Sequence, residues 1–317
     1  MDKRDKWTLE TTATMVERSG VSLERISYHG WPECLRLFNG RVEAVIVPAI
    51  SRVMHFGQVD EPEEAFWQNR ALDGQQPPSA PKEWFNFGGD KCWPAPQSSW
   101  PERGGRSWPP PQAFDALPAD AAAIEGGVVL TSPIDPHYGI QMVRTVKLDT
   151  IRLVMSIAVE FRKLEGPPVQ AGIWTVTQLR EPEAILLWEP EVTRFPRGYL
   201  SLLGARPTDL SRRGRLLSLR RNPSIFTKIG SEARSIAWVG KSSVLRIDAK
   251  MVPGEYPDGG CVTEVYTNPD PLKYVELETM GPLENISIGG RIGRTTLYTV
   301  MPRRTAVVES EAENIFD

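Results

Sequence analysis

Histidine is scarce in this 317-residue chain: His29, His55 and His137 are all it has, and none of them stands at HxxxH spacing. That argues against a zinc hydrolase of the HExxH kind. Cysteine is as sparse. Cys34, Cys92 and Cys261 lie far apart with no CxxC pair, so no zinc site is expected, and they read as reduced, small hydrophobic residues of a reducing compartment. No GxSxG nucleophile elbow is present. No apolar run approaches the roughly 18 residues that a membrane span needs, so no membrane partner is expected. Neither sign of charge dominates. With 37 Lys and Arg against 40 Asp and Glu, the long positive field that drives nucleic-acid affinity is missing, and a nucleic-acid partner is not expected either. The charged start Met-Asp-Lys-Arg-Asp-Lys-Trp is not followed by an apolar segment, which predicts a cytoplasmic location.

What the chain has in quantity is 28 Pro, 26 Gly and 10 Trp. Ten of the prolines and four of the tryptophans (Trp84, Trp93, Trp100 and Trp108) fall between Gln75 and Pro118. No regular element is expected there. A loop of about 40 residues inside a compact domain is usually functional or disordered, and its tryptophans argue against disorder.

Elsewhere the pattern is strand after strand. Leu35–Phe38 and Arg41–Val47 alternate around Asn39-Gly40, a hairpin signal in which both turn positions are expected at positive φ. A short helix is predicted over Asp60–Leu72 from its acidic first turn and Pro62. After Gly126, strands are predicted at Val128–Thr131, Gly139–Lys147, Ile151–Arg162, Ala171–Gln178, Ala184–Trp188, Val244–Met251, Val262–Thr267, Tyr274–Thr279 and Thr295–Val300. Short strands without intervening helical patterns predict an antiparallel all-β sandwich, not βαβ units. Residues 1–25 read as an N-terminal arm and 26–317 as one domain.

Four places carry candidate chemistry. In Tyr274–Thr279 the alternation sets Tyr274, Glu276 and Glu278 on one face, with the two carboxylates about 7 Å apart at the strand rise. Like charges that close raise one pKa, as proton transfer near neutral pH requires; the competing reading is a solvated strand face. In Phe87–Gln97, Gly88-Gly89 permit unusual backbone angles or close approach. Trp93 beside Lys91 and Gln97 offers an aromatic face with donors, which suits a hexose; the competing reading is a loop that covers core. His137 sits in an Asp-Pro-His-Tyr-Gly turn where it could border a pocket or simply face solvent. Arg212, Arg213, Arg215, Arg220 and Arg221 could hold an acidic group, or could be a solvated loop. Ile288–Gly293 has phosphate-loop glycines but precedes a strand, and is set aside.

Together these segments resemble the aldose 1-epimerase (galactose mutarotase) superfamily, in particular its mutarotase-like branch of unknown function. The resemblance covers roughly residues 25–305. It rests on Asn39–Val53, on Gly88-Gly89-Asp90-Lys91-Cys92-Trp93-Pro94, similar to a stretch over the sugar site of hexose-6-phosphate epimerase relatives, and on Glu276-Leu277-Glu278-Thr279, similar to a Leu-Glu-Thr strand. It implies a supersandwich of antiparallel sheets, a small-molecule carbohydrate ligand, no cofactor, no metal, and Glu278 as general base. The family's histidine acid is missing from Gly166–Gln178, and so is its His-Gly-Phe histidine; Trp174 and Gln178 stand there instead. Loss of the acid costs ring opening about 10²–10⁴-fold. In an enzyme, Lys91 or His137 would have to replace it. The expectation is therefore a sugar-binding cleft formed by Lys91, Trp93, Gln97, Trp174, Gln178, Glu276 and Glu278, with a non-catalytic structural or protein-interaction sandwich as the alternative.

Overall fold

A computed structural model describes residues 20–78 and 83–316 of the chain. Two antiparallel sheets face each other. The first has eleven strands, in the order Ser22–Tyr28, Trp31–Phe38, Val42–Val47, Arg52–Gln58, Asp90–Ala95, Val169–Arg180, Tyr274–Met280, Thr263–Thr267, Thr227–Ser231 and Leu200–Gly204, with Glu284–Ile286 paired to the start of Val169–Arg180. The second has ten, in the order Leu210–Arg213, Leu216–Leu219, Ala184–Trp188, Ser235–Val239, Ser243–Ala249, Arg291–Pro302, Val154–Lys163, Ile140–Leu148, Gly127–Asp135 and Asp120–Ile124. No helix among the described residues is long and apolar enough to cross a membrane.

Period-2 alternation explains the layering. Cys92, Val265, Val275 and Leu277 of the first sheet share one apolar cluster with Met155, Ile157, Leu245 and Tyr298 of the second. One polar network interrupts it. The Asp90 carboxylate accepts from Tyr298 at 2.6 Å and from Thr177 at 2.8 Å, and takes an ion pair from Arg144, whose guanidinium also donates to the Ser51 carbonyl. Asp90 and Thr177 belong to one sheet and Arg144 and Tyr298 to the other, so this network ties the two layers together.

Several expectations are corrected by tertiary pairing. The hairpin forms, but only Gly40 takes positive φ, at +86°; Asn39 instead accepts from the Arg41 and Val42 amides through its side chain. The arm read over residues 1–25 lies outside the described residues up to 19, and Ser22–Tyr28 is an edge strand paired with Trp31–Phe38. The helix predicted over Asp60–Leu72 shrinks to one turn at Arg70–Leu72. Phe66 bridges Leu179, and the amides of Trp67 and Arg180 donate to Gln178 and Ala65, so this segment is consumed in extending the sheet.

The Gln75–Pro118 stretch is not without regular structure, since it contributes the central strand Asp90–Ala95. That strand meets Arg52–Gln58 at a single pair, Val53 with Asp90. Its remaining edge is unpaired, and there Pro94, with no N–H to donate, is tolerated. Gly88 and Gly89 thread the chain into this position at φ +94° and +69°, where an added Cβ would lie 2.3 Å from the Trp67 carbonyl oxygen and 2.6 Å from that of Val53. Their close approach is to backbone and not to a ligand.

Candidate functional site

The outer face of the first sheet, turned away from the second, collects the chemistry. In register, Trp174 stands opposite Trp93, Val176 opposite Lys91 and Glu278, and Gln178 opposite Glu276. The next strands add Glu264 opposite Glu278 and Tyr266 opposite both Glu276 and Lys228. Two lysines, three glutamates, two tyrosines and two tryptophans thus share one face, from five strands far apart in sequence.

The Trp-rich segment closes over this face. Asp115 organises it, accepting from Trp93 Nε1 at 2.9 Å, Trp84 Nε1 at 3.1 Å and Arg52 at 2.8 Å, with the carboxylate buried. Trp93 then packs edge-on against Trp84, Trp100, Trp108 and Trp174 at ring separations of 5.0–6.0 Å. The result is a cavity of about 330 Å³ with aromatic walls of Trp84, Trp93, Trp108, Trp174, Tyr266 and Tyr274 and with Gln97, Lys228 and Glu276 as its polar groups. Its size and lining fit a small-molecule pocket, apolar with a few placed polar groups. Trp108 is its most open aromatic wall, 41% exposed.

Of the residues singled out from sequence, Trp93, Gln97, Trp174 and Glu276 border this one cavity. Lys91 lies behind them, fully buried, 3.6 Å from Glu276 and over the rings of Trp93 and Trp84. Gln178 is buried in the same sheet face. Glu278 does not line the cavity. Its carboxylate is buried, accepts from Trp174 Nε1 at 2.6 Å and from Lys228 at 3.0 Å, and so holds two of the cavity's lining side chains in place.

His137 stands elsewhere. It is exposed in the turn before Ile140–Leu148, where the Asp135 side chain accepts the His137 and Tyr138 amides, and it borders a different cavity of about 270 Å³ beside Trp100, Arg106 and Tyr138. The arginine cluster is engaged in pairs: Arg212 with Glu189, Arg220 with Glu309, and Arg221 with Glu181 and Asp270.

Burial sets the protonation pattern. It lowers Lys91 to about 8 against the attraction of Glu276, and it raises Glu276 against that of Lys91. Glu264 is pushed up to about 8 by burial, with Lys228 opposing. Lys228 is pulled down by burial, but Glu278 and Glu264 outweigh this and keep it charged well above its ordinary range; its Nζ also lies 4.5 Å from the Trp174 ring centroid. No group of three or more His, Cys, Asp or Glu able to hold a metal occurs among the described residues.

Lys228, Glu264 and Tyr266 escaped the sequence reading. The alternation of Glu264 and Tyr266 in the predicted strand Val262–Thr267 is the same signal that exposed Glu276 and Glu278. Lys228 had none, because Thr227–Ser231 is a five-residue strand with Gly230 in it.

No family model and no curated protein matches the chain. Solved structures do. The chain is similar to a TPR-domain containing protein from Parabacteroides distasonis (TM-score 0.58, 15% identity, 87% of this chain), of which it spans half the length. It is similar along nearly the whole length of a galactose mutarotase-like protein from Lactobacillus casei (TM-score 0.56, 9% identity, 84% of this chain and 100% of that one). A galactose mutarotase related enzyme from Lactobacillus acidophilus gives a TM-score of 0.53 at 8% identity over 87% of this chain and 99% of that one. Two opposed antiparallel sheets in this arrangement, shared at identities too low to carry more than architecture, show that the chain has the galactose mutarotase-like sandwich fold.

Proposed function

We propose that the chain binds a carbohydrate in the cavity beneath the tryptophan cluster. The observation that carries this reading is the convergence of aromatic walls with Gln97, Lys228 and Glu276 in a single small cavity on the outer sheet face. A pyranose has an apolar face for stacking and a rim of hydroxyls for such donors and acceptors. Glu276 is the carboxylate presented to the ligand, and Glu278, which the sequence resemblance put forward as base, acts as a positioning residue for Trp174 and Lys228. A panel of neutral hexoses and sugar phosphates in a thermal-shift assay tests it. A cognate sugar at 100 times its dissociation constant is expected to stabilise the fold by about 2.7 kcal/mol. Trp108→Ala, at the most open aromatic wall, is expected to weaken that sugar about tenfold, the worth of one good aromatic contact. If no sugar gives a saturable shift, the sandwich is a structural or protein-interaction module.

A second reading, exchange at the anomeric centre, is favoured by the Lys91–Glu276 pair, since a buried amine near 8 beside a carboxyl raised by burial is what acid–base work near neutral pH needs. Glu276, which lines the cavity, would take the anomeric hydroxyl proton and deliver it to the ring oxygen, with Lys91 behind it setting its protonation state. NMR of anomer exchange decides this. Exchange no faster with protein than without, for the sugar that binds, leaves binding alone.

A further inference from the structure

The inward-facing positions of Arg291–Pro302 are Ile292, Arg294, Thr296, Tyr298 and Val300; Ile292 and Val300 are apolar core, and the Thr296 and Tyr298 hydroxyls have hydrogen-bond partners. Arg294 is the exception. Only 9% of it is exposed, yet among the described residues its Nε and Nη2 have no hydrogen-bond partner and no carboxylate forms an ion pair with it. Both atoms are enclosed in the fold, so this edge of the guanidinium is neither solvated nor paired. Its other surroundings do not neutralise it. The side chain lies against the Gly281 backbone, 3.6 Å from the position a Cβ would take there; burial disfavours its charge, and only Tyr256, which also hydrogen-bonds the guanidinium, and Cys92 oppose that. A buried cation without a counter-charge is among the costlier arrangements a fold can carry.

Arg294 borders a cavity of about 190 Å³ at the end of the sandwich. Ile173, Val252, Pro282 and Ile292 form its apolar walls, and Lys250, exposed, stands at its rim as a second cation. Glu284, also exposed, is the one acidic residue in the lining. None of these residues lines the aromatic cavity. We propose that this cavity is a binding site for a small oxyanion, a carboxylate or phosphate group drawn by the unneutralised charge of Arg294 and by Lys250 at the rim, separate from the carbohydrate cleft.

The site is probed with inorganic phosphate and with acetate at constant ionic strength, chloride replacing the anion in the control. One of the two is expected to raise the melting temperature saturably. Phosphate alone points to a phosphorylated ligand, and acetate alone to a carboxylated one. Arg294→Gln is expected to weaken the effect about 30-fold or more, the loss of a buried charge-assisted contact, whereas Glu284→Gln is expected to preserve or strengthen it. Should Arg294→Gln fail to fold, the Arg294 Nε–H resonance of the full-length protein is followed by NMR, and it is expected to shift with the same midpoint as the stabilisation. Identical shifts for the native protein and Arg294→Gln, or an Nε–H resonance unmoved by both anions, overturn the proposal. So does an anion response that appears only in Glu284→Gln, because Glu284 is then the internal counter-ion of Arg294.

Discussion

Asp90→Ala is expected to destabilise the protein by about 3–5 kcal/mol, the cost of leaving one member of a buried ion pair uncompensated. Asp90 and Arg144 are both fully buried, and the carboxylate is the common acceptor for Arg144, Thr177 and Tyr298. Removing it orphans a guanidinium between the sheets and leaves the Thr177 and Tyr298 hydroxyls only each other, 3.1 Å apart. The Ser51 carbonyl remains as an acceptor for Arg144, but a neutral oxygen at 3.0 Å does not replace a charge. Chemical denaturation measures the loss. In the double variant Asp90→Ala/Arg144→Met the orphaned charge is gone, so its destabilisation is expected to fall well below the sum of the two single variants. A single-variant loss under 1 kcal/mol would mean that the network contributes nothing to holding the layers together.

Lys228→Met is expected to act on stability and on the proposed binding together, and in a pH-dependent way. Lys228 lies 2.6 Å from Glu264 and 3.0 Å from Glu278, both fully buried. Without the ammonium, two buried carboxyl groups face each other across neighbouring strands, and at pH 8 the expected cost is about 3–5 kcal/mol. Protonation relieves it. Glu264 is held near 8 by burial even in the native protein, so its folded form binds a proton that the unfolded chain releases near 4.5. Stability from this group is therefore complete below about 4.5 and is lost as the pH rises through about 8. In the variant the same dependence is expected to steepen, and the gap to the native protein to narrow steadily from pH 8 down to pH 5, as read from melting temperatures across that range. A gap that does not change with pH would show that Lys228 acts by packing alone. Because Lys228 also lies over the Trp174 ring and lines the cavity, sugar-induced stabilisation is expected to be lost at every pH.

These two expectations rest on different kinds of information. That Glu276 and Glu278 share a face follows from period-2 alternation, and so does the general antiparallel all-β character, because both are local properties of the chain. The hairpin around Asn39-Gly40 was legible for the same reason. The segment Asp60–Leu72 was misread because its acidic start and proline are true local signals, which pairing with Gln178 and Arg180 overrides. The strand Asp90–Ala95 was hidden by Pro94 and by the proline-rich sequence around it, since nothing local says that one of its edges will stay unpaired.

The sequence by itself determined the alternating strands and the concentration of tryptophan and proline before residue 118. Only the tertiary structure decided which residues meet. It turned Glu276 and not Glu278 toward the cavity, brought Lys228 and Glu264 from separate short strands to sit beside Glu278, and set His137 on a different cavity. The physical reason is that alternation fixes which face a side chain takes but not which strand will lie beside it. That neighbour is chosen by long-range pairing between strands roughly 80 to 100 residues apart in the chain, as where Asp90–Ala95 and Tyr274–Met280 flank Val169–Arg180 on its two sides.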